Sequence, residues 1–130
     1  MILSAKEFLY LRTSGDPEKY DRAASEEAPD SVWHEIIELH PSMRCWVAHN
    51  KTVPIPILAI LATDEHEAVR SAVAQKRKLT PDLFEALSLD PSPGVRERIA
   101  YNAKAPLAVL RRLASDPDEI VSNAALRRLG

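Results

Sequence analysis

Three stretches of the chain carry nearly the same residues: Met43-Arg44-Cys45-Trp46-Val47-Ala48-His49-Asn50, Val69-Arg70-Ser71-Ala72-Val73-Ala74-Gln75-Lys76 and Val95-Arg96-Glu97-Arg98-Ile99-Ala100-Tyr101-Asn102. Each stretch follows the previous one by 26 residues, and a Leu, a small residue and an Asp recur later in every unit. A period of this length is typical of solenoids built from stacked pairs of short helices. The repeat therefore predicts the fold before any single residue is considered.

Composition favours helices over strands. Of the 130 residues, 45% are apolar, only 5% are aromatic and three are Gly, and Ala and Leu dominate. Pro17, Pro81, Pro91 and Pro117 each follow Asp or Thr, which is the pattern of an N-cap with Pro at the first helical position. We therefore expect an all-α protein in which these four prolines start helices.

The repeats divide the chain into five segments of one domain, residues 1–130. We predict a right-handed α-solenoid of about four two-helix repeats with an N-terminal helical cap. The segments are the cap and a degenerate repeat (1–42), three full repeats (43–68, 69–94 and 95–120) and a partial repeat (121–130). The first helix of the N-terminal cap should begin at Ser4, with Glu7 completing the capping box, and the second helix should begin at Asp16-Pro17.

Apolar residues at helical spacing predict which side chains face inward. The predicted stripes are Val69, Ala72, Val73 and Lys76 in one helix, Leu83, Phe84, Leu87 and Ser88 in the next, and Val121, Ala125, Leu126 and Leu129 in the last. Helices of about two turns are marginal alone, so burial of these stripes must stabilise them.

Asp64, Asp90 and Asp116 precede Arg70, Arg96 and Ser122 by six residues. A row of carboxylates could be catalytic, and a row of arginines could bind phosphate, but residues repeated in a solenoid mostly serve stacking. We therefore expect each Asp to cap a helix and to bind the Arg of its own or the next repeat. The spacings Asp64-x-x-Glu67 and Asp116-x-x-Glu119 fit such a cap.

The signature Val-Arg-x-x-Val-Ala-x-Asn, then Pro, then Leu-x-x-Leu-Ala-x-Asp-Pro-Asp resembles the leucine-rich repeat variant family, a helical solenoid akin to HEAT repeats. The resemblance covers residues 29–130 and is clearest from Val95 to Asp118. It implies a scaffold for binding, and it allows one helix per repeat to be 3₁₀. One family member carries a cysteine-rich iron–sulfur segment, whereas this chain has the single cysteine Cys45. We therefore expect no cofactor.

Charge and cysteine content bear on how the protein associates and on where in the cell it is expected. Residues 1–68 hold six Lys/Arg and twelve Asp/Glu, giving −6, while residues 69–130 hold eleven and seven, giving +4. This polarity could steer a partner or favour end-to-end association. One cysteine excludes an intrachain disulfide, and the N-terminus lacks the pattern of a signal peptide. We expect a cytoplasmic protein that does not enter membranes, either a monomer or an end-to-end homodimer.

Binding residues in solenoids are those that differ between repeats on a shared exposed row. The rows predicted to line the concave face supply aromatic, cationic and amide groups, which are typical of binding hot spots. The predicted partner-binding residues are Trp46, His49, Gln75, Arg98 and Tyr101. Trp46 could equally be a core residue, since its counterpart is the small Ala72.

The leading functional hypothesis is a non-enzymatic module that binds a peptide or a partner protein. A basic run with a nearby lysine offers nucleic-acid binding as the alternative: Lys76, Arg77, Lys78 and Lys104 are its possible phosphate-binding residues. The sequence pI of 6.1 weakens this alternative. Cys45 and His49 lie four residues apart, but two ligands are too few for a metal site and no third group completes a catalytic set. A repeat-scaffold enzyme is therefore the third hypothesis.

Overall fold

The computed structural model describes residues 1–130 and is all-helical, with no strands. The all-α prediction is confirmed. The α-helices are α1 (Ala5–Thr13), α2 (Pro17–Ser25), α3 (Asp30–Leu39), α4 (Arg44–His49), α5 (Ile55–Leu61), α6 (Glu67–Ala74), α7 (Pro81–Ser88), α8 (Pro93–Tyr101), α9 (Leu107–Leu113) and α10 (Glu119–Leu129), and a 3₁₀ helix spans Pro41–Met43. Since even the longest helix, α10, has 11 residues, none of them could cross a bilayer.

The chain forms two compact units, Met1–Leu61 and Ala62–Gly130. In the first unit, α1 packs on α2 and α3, and α3 packs on α4 and α5. In the second unit, α6 packs on α8 and α8 on α10, while α7 packs on α9. Within the second unit, the first helix of each repeat therefore contacts the first helix of the next repeat.

The core of each unit is made by apolar stripes of these short helices. In the first unit Phe8 and Trp33 are fully buried, and their rings meet edge to face at 5.7 Å between centroids. In the second unit, the stripes of α6, α7 and α8 are filled largely by Val, Ile, Leu and Phe. The buried residues there include Val69, Val73, Leu83, Phe84, Leu87, Val95 and Ile99. The predicted stripe of α7 is confirmed in full, because Ser88 is buried as well.

The predicted inward stripe of α10 is wrong at one position. Leu126 is 51% exposed, whereas Ala124 is buried beside Val121 and Ala125. Steps of three and four residues from Val121 reach Ala124 and Ala125, so Leu126 lies about 100° further round the helix. The small alanines allow α10 to lie close to α8 and α9, on which it packs.

The observed helix starts match the predicted ones wherever the capping residue directly precedes the helix. Ser4 Oγ accepts a hydrogen bond from the Glu7 N–H at 3.0 Å, and the Glu7 carboxylate accepts one from the Leu3 N–H at 2.8 Å. Asp16 caps α2 and Thr80 caps α7, each with Pro at the first helical position. The predictions for Ser4, Pro17 and Pro81 are confirmed.

Pro91 and Pro117, by contrast, do not start helices, and the capping role predicted for Asp64, Asp90 and Asp116 is wrong. Helix α8 begins at Pro93, and α10 begins at Glu119 with Asp118 as its N-cap. The carboxylate of Asp116 accepts instead from the N–H two residues later, at 2.9 Å, and Asp64 and Asp90 do the same. This local turn satisfies the Asp side chain before the helix begins, which moves the start by two residues.

The repeated Arg and Asp residues satisfy one another. Arg70 donates to the Asp90 carboxylate through Nε at 2.8 Å and Nη2 at 3.2 Å, and Arg96 donates to Asp116 at 2.8 and 3.1 Å. The Nη1 groups of these two arginines donate to the backbone carbonyls of Asp64 and Asp90. The predicted pairing is therefore confirmed, and each pair links a first helix to the turn that follows the second helix of the same repeat.

The pattern does not extend to the N-terminal segment. Arg22 stands six residues after Asp16, as Arg70 does after Asp64, yet it pairs with Glu26 one turn further along the chain at 2.5 Å. Its pKa is raised chiefly by the hydrogen bond to Glu26. Residues 1–42 thus keep the spacing of the repeat without its ion pair.

Replacing Asp116 by Asn should lower the free energy of unfolding at pH 7 by about 2 kcal/mol, because Arg96 loses a charged acceptor. Burial alone raises the pKa of Asp116, but the hydrogen bonds from Arg96 and from the Asp118 N–H together hold it below its ordinary value. A lowered pKa in the folded state stabilises above the unfolded pKa of about 3.9, and this stability is lost as pH falls through the folded value. The difference between wild type and variant should therefore shrink at acid pH.

Urea unfolding followed by circular dichroism at pH 7 and at acid pH measures this difference. Glu85→Gln is the matched control, because Glu85 pairs with Arg112 on the surface, where the carboxylate is 52% exposed. Equal destabilisation by the two variants would contradict a structural role for the Arg96–Asp116 pair.

Candidate functional site

The predicted partner-binding residues divide between the two units. Trp46 and His49 belong to the first unit, and Gln75, Arg98 and Tyr101 belong to the second. Gln75 ends α6, while Arg98 and Tyr101 lie in the last turn of α8.

A cleft of about 230 Å³ in the second unit brings the three predicted residues Gln75, Arg98 and Tyr101 together. Arg77, Asn102 and Ala103 complete its lining. Arg77 follows the end of α6 and belongs to the predicted phosphate-binding residues. The structure instead places it beside the predicted partner-binding residues.

The buried side chain of Asn102 lines this cleft and binds the backbone beside it. Its Nδ2 group donates to the carbonyl of Ala74 at 2.9 Å and to that of Lys76 at 2.7 Å. Its Oδ1 atom accepts from the Lys104 N–H at 2.9 Å. Because Asn102 thereby ties the end of α6 to the end of α8, it fixes the backbone from which Gln75 and Arg98 project.

The same link recurs at equivalent positions. Asn50 donates to the carbonyls of Ala23 and Glu26 at 2.8 and 3.0 Å, within the first unit. Arg128, 26 residues after Asn102, donates to the carbonyls of Ala100 and Asn102 at 3.0 and 2.9 Å. Sequence reasoning quoted both asparagines in the signature but predicted no role for them. The sequence feature that could have predicted this role is an Asn that recurs directly after the apolar stripe of the helix.

The charges on the cleft are uncompensated within the chain. Arg77 and Arg98 make no hydrogen bond or ion pair, whereas Arg70 and Arg96 are paired with aspartates. None of the lining residues is Asp or Glu. The cleft therefore presents two guanidinium groups, the Gln75 amide and the half-exposed Tyr101 ring.

Of the predicted phosphate-binding residues, only Arg77 lines the cleft. Lys76, Lys78 and Lys104 do not line the cleft. The backbone of Lys76 and that of Lys104 instead bind the Asn102 amide. Arg77 lies in the turn after α6, where helical spacing no longer applies.

In the first unit, Trp46 is half-buried and stacks against an arginine that the sequence analysis did not single out. The Arg12 guanidinium carbon lies 3.4 Å from the Trp46 ring centroid and 4.8 Å from that of Tyr20. The rings of Trp46 and His49 meet edge to face at 5.9 Å. The Arg12 Nε atom is buried without a hydrogen-bond partner, so ring faces form its surroundings.

Arg12 and Tyr20 lie in the degenerate segment 1–42, where the repeat register offers no guide to side-chain contacts. Cys45 is half-buried on the same helix, α4, as Trp46 and His49. No group of three or more His, Cys, Asp or Glu side chains is placed to hold a metal ion. The residues around Trp46 thus form an aromatic cluster in which the Arg12 guanidinium lies against the Trp46 and Tyr20 rings.

Replacing Asn102 by Ala should lower the free energy of unfolding by about 2–3 kcal/mol, because the buried carbonyl of Ala74 and the part-buried carbonyl of Lys76 lose their donor. The exposed Asn123 on α10 supplies the matched control, and Asn123→Ala should change stability by no more than about 0.5 kcal/mol. Urea unfolding followed by circular dichroism gives both values. Similar effects at the two positions would argue against Asn102 as the link between α6 and α8.

No protein-family model, no curated protein and no solved structure matches the chain. The resemblance to the leucine-rich repeat variant family rests on the repeated residues quoted above and stays a prediction.

Proposed function

We propose that this chain is a cytoplasmic, non-enzymatic protein-interaction module of the leucine-rich repeat variant type. It would form a right-handed α-solenoid of about four repeats, with α1 and α2 in its N-terminal cap, and bind a peptide or a partner protein on its concave face. The 26-residue period and the packing of α6 on α8 and of α8 on α10 support the stacked arrangement.

The observation that carries this proposal is the cleft at Tyr101. Its volume of about 230 Å³ lies below the range of about 300–1,000 Å³ typical of small-molecule sites. A cleft of that size suits one or two side chains presented by a larger partner. Tyr and Arg are enriched among the residues that dominate binding energy, and Tyr101 and Arg98 lie together here.

Nucleic-acid binding is the second candidate, favoured by the presence of Arg77 on the cleft next to Lys76 and Lys78 in the sequence. The net charge of −2 gives no general attraction to phosphates. Salt separates the two candidates, because phosphate binding falls steeply with added salt and an interface anchored by an aromatic residue falls less.

Immobilised chain should capture a defined set of proteins from a lysate of its source, and Tyr101→Ala or Arg98→Ala should reduce that capture by about tenfold. Truncation of either residue removes contact area or charge from the cleft lining. Quantitative mass spectrometry of the captured proteins measures the change, with nuclease treatment to remove bridging nucleic acid.

Arg111→Ala is the matched control, because Arg111 is exposed on α9 and does not line the cleft. Circular dichroism establishes that each variant stays folded. Undiminished capture by folded Tyr101→Ala and Arg98→Ala would refute this site, and capture that disappears on nuclease treatment would favour nucleic acid.

A further inference from the structure

We infer that the cleft of the second unit recognises an acidic linear segment of its partner, with an Asp or Glu side chain bound by Arg77 and Arg98. The inference rests on the proposed function, because it names the chemistry of the segment that would bind at the same cleft. The cleft contains residues from both predicted groups, since Gln75, Arg98 and Tyr101 are predicted partner-binding residues and Arg77 belongs to the basic run.

The charge of the cleft points to an anion. Arg77 and Arg98 have no hydrogen-bonding or ionic partner in the chain, although the unit supplies carboxylates to its other cleft-forming arginines: Arg96 and Arg112 line a second cleft, where Arg96 pairs with Asp116 and Arg112 with Glu85. A planar guanidinium presents parallel N–H groups that match the two oxygens of a carboxylate.

The remaining lining favours a peptide over a nucleic-acid strand. The Gln75 amide can donate to and accept from a peptide backbone, and the Tyr101 ring, 51% exposed, offers a flat apolar wall. A nucleic-acid strand needs cations spaced along a track to meet successive phosphates. Here the two unpaired arginines share one small cleft, and the neighbouring lysines do not line it.

The backbone under these side chains is organised before any ligand arrives. Asn102 binds the carbonyls of Ala74 and Lys76, on either side of Gln75, and itself lines the cleft. Because its donors are already used, Asn102 shapes the cleft and leaves recognition to Arg77, Arg98, Gln75 and Tyr101. A fixed backbone lowers the entropy lost when the two guanidinium groups close on a carboxylate.

The test is fluorescence anisotropy with the full chain and a short labelled peptide in which Glu alternates with Gly and Ser. The same peptide with Gln in place of every Glu should bind at least about tenfold more weakly. Arg77→Gln and Arg98→Gln should each weaken binding of the Glu peptide by about tenfold. Arg98→Lys should fall between wild type and Arg98→Gln, because it keeps the charge but loses the paired N–H groups.

Arg111→Gln is the control that removes the same charge from the same unit without touching the cleft, and it should change affinity by less than about twofold. Circular dichroism verifies that every variant is folded. Equal binding of the Glu and Gln peptides, or an equal loss in Arg111→Gln, would overturn recognition of a carboxylate at this cleft.

Two other outcomes separate this inference from the proposed function. No binding of the Glu peptide, together with capture that still depends on Tyr101, would overturn the acidic segment and leave the interaction module standing. A single-stranded oligonucleotide that binds more tightly than the Glu peptide, with losses in Arg77→Gln and Arg98→Gln, would assign the cleft to nucleic acid and overturn both.

Discussion

Short helices leave many backbone carbonyls without partners, and this constraint governs the structure. The last four carbonyls of any α-helix lack donors inside the helix, and the α-helices here have only six to eleven residues. Side chains from the following repeat supply some of the missing donors. Asn102 and Arg128 bind carbonyls at the ends of α6 and α8, and Asn50 binds carbonyls at the end of α2. Apolar burial alone would leave these groups unsatisfied.

The same requirement decides where the chain is free to vary. Positions that bind a neighbouring carbonyl or carboxylate recur at the 26-residue period, as Arg70 and Arg96 do. Positions beside them carry different residues, and at the ends of α6 and α8 these differences produce the cleft with Tyr101 and Arg98. The repeated residues thus fix the backbone, and the residues that differ between repeats form the cleft surface. Asn102 does both, because its amide binds the backbone of α6 and also lines the cleft.

Much of the fold could be predicted from the sequence, because period and capping act locally. The α-helical class, the cap at Ser4 and the Arg–Asp pairs follow from residue spacing. The starts of α8 and α10 could not be placed, since a turn made by Asp90 or Asp116 competes with capping over two residues. Gln75 and Tyr101 hold equivalent positions in successive repeats and Arg98 precedes Tyr101 by three residues, so helical spacing grouped these residues correctly. Arg77 was not grouped with them, because it lies beyond the end of α6, where helical spacing no longer applies.

The location of the two tryptophans in one unit has a spectroscopic consequence. Both tryptophans of the chain, Trp33 and Trp46, lie in the Met1–Leu61 unit, one fully buried and one under a guanidinium. Indole emission therefore reports on the N-terminal unit alone, whereas far-ultraviolet ellipticity reports on helices of both units. Denaturation curves from the two optical probes would coincide if the chain melts in one transition and separate if the C-terminal unit melts independently. The chain thus carries a built-in fluorophore for measuring cooperativity, without labelling or mutation.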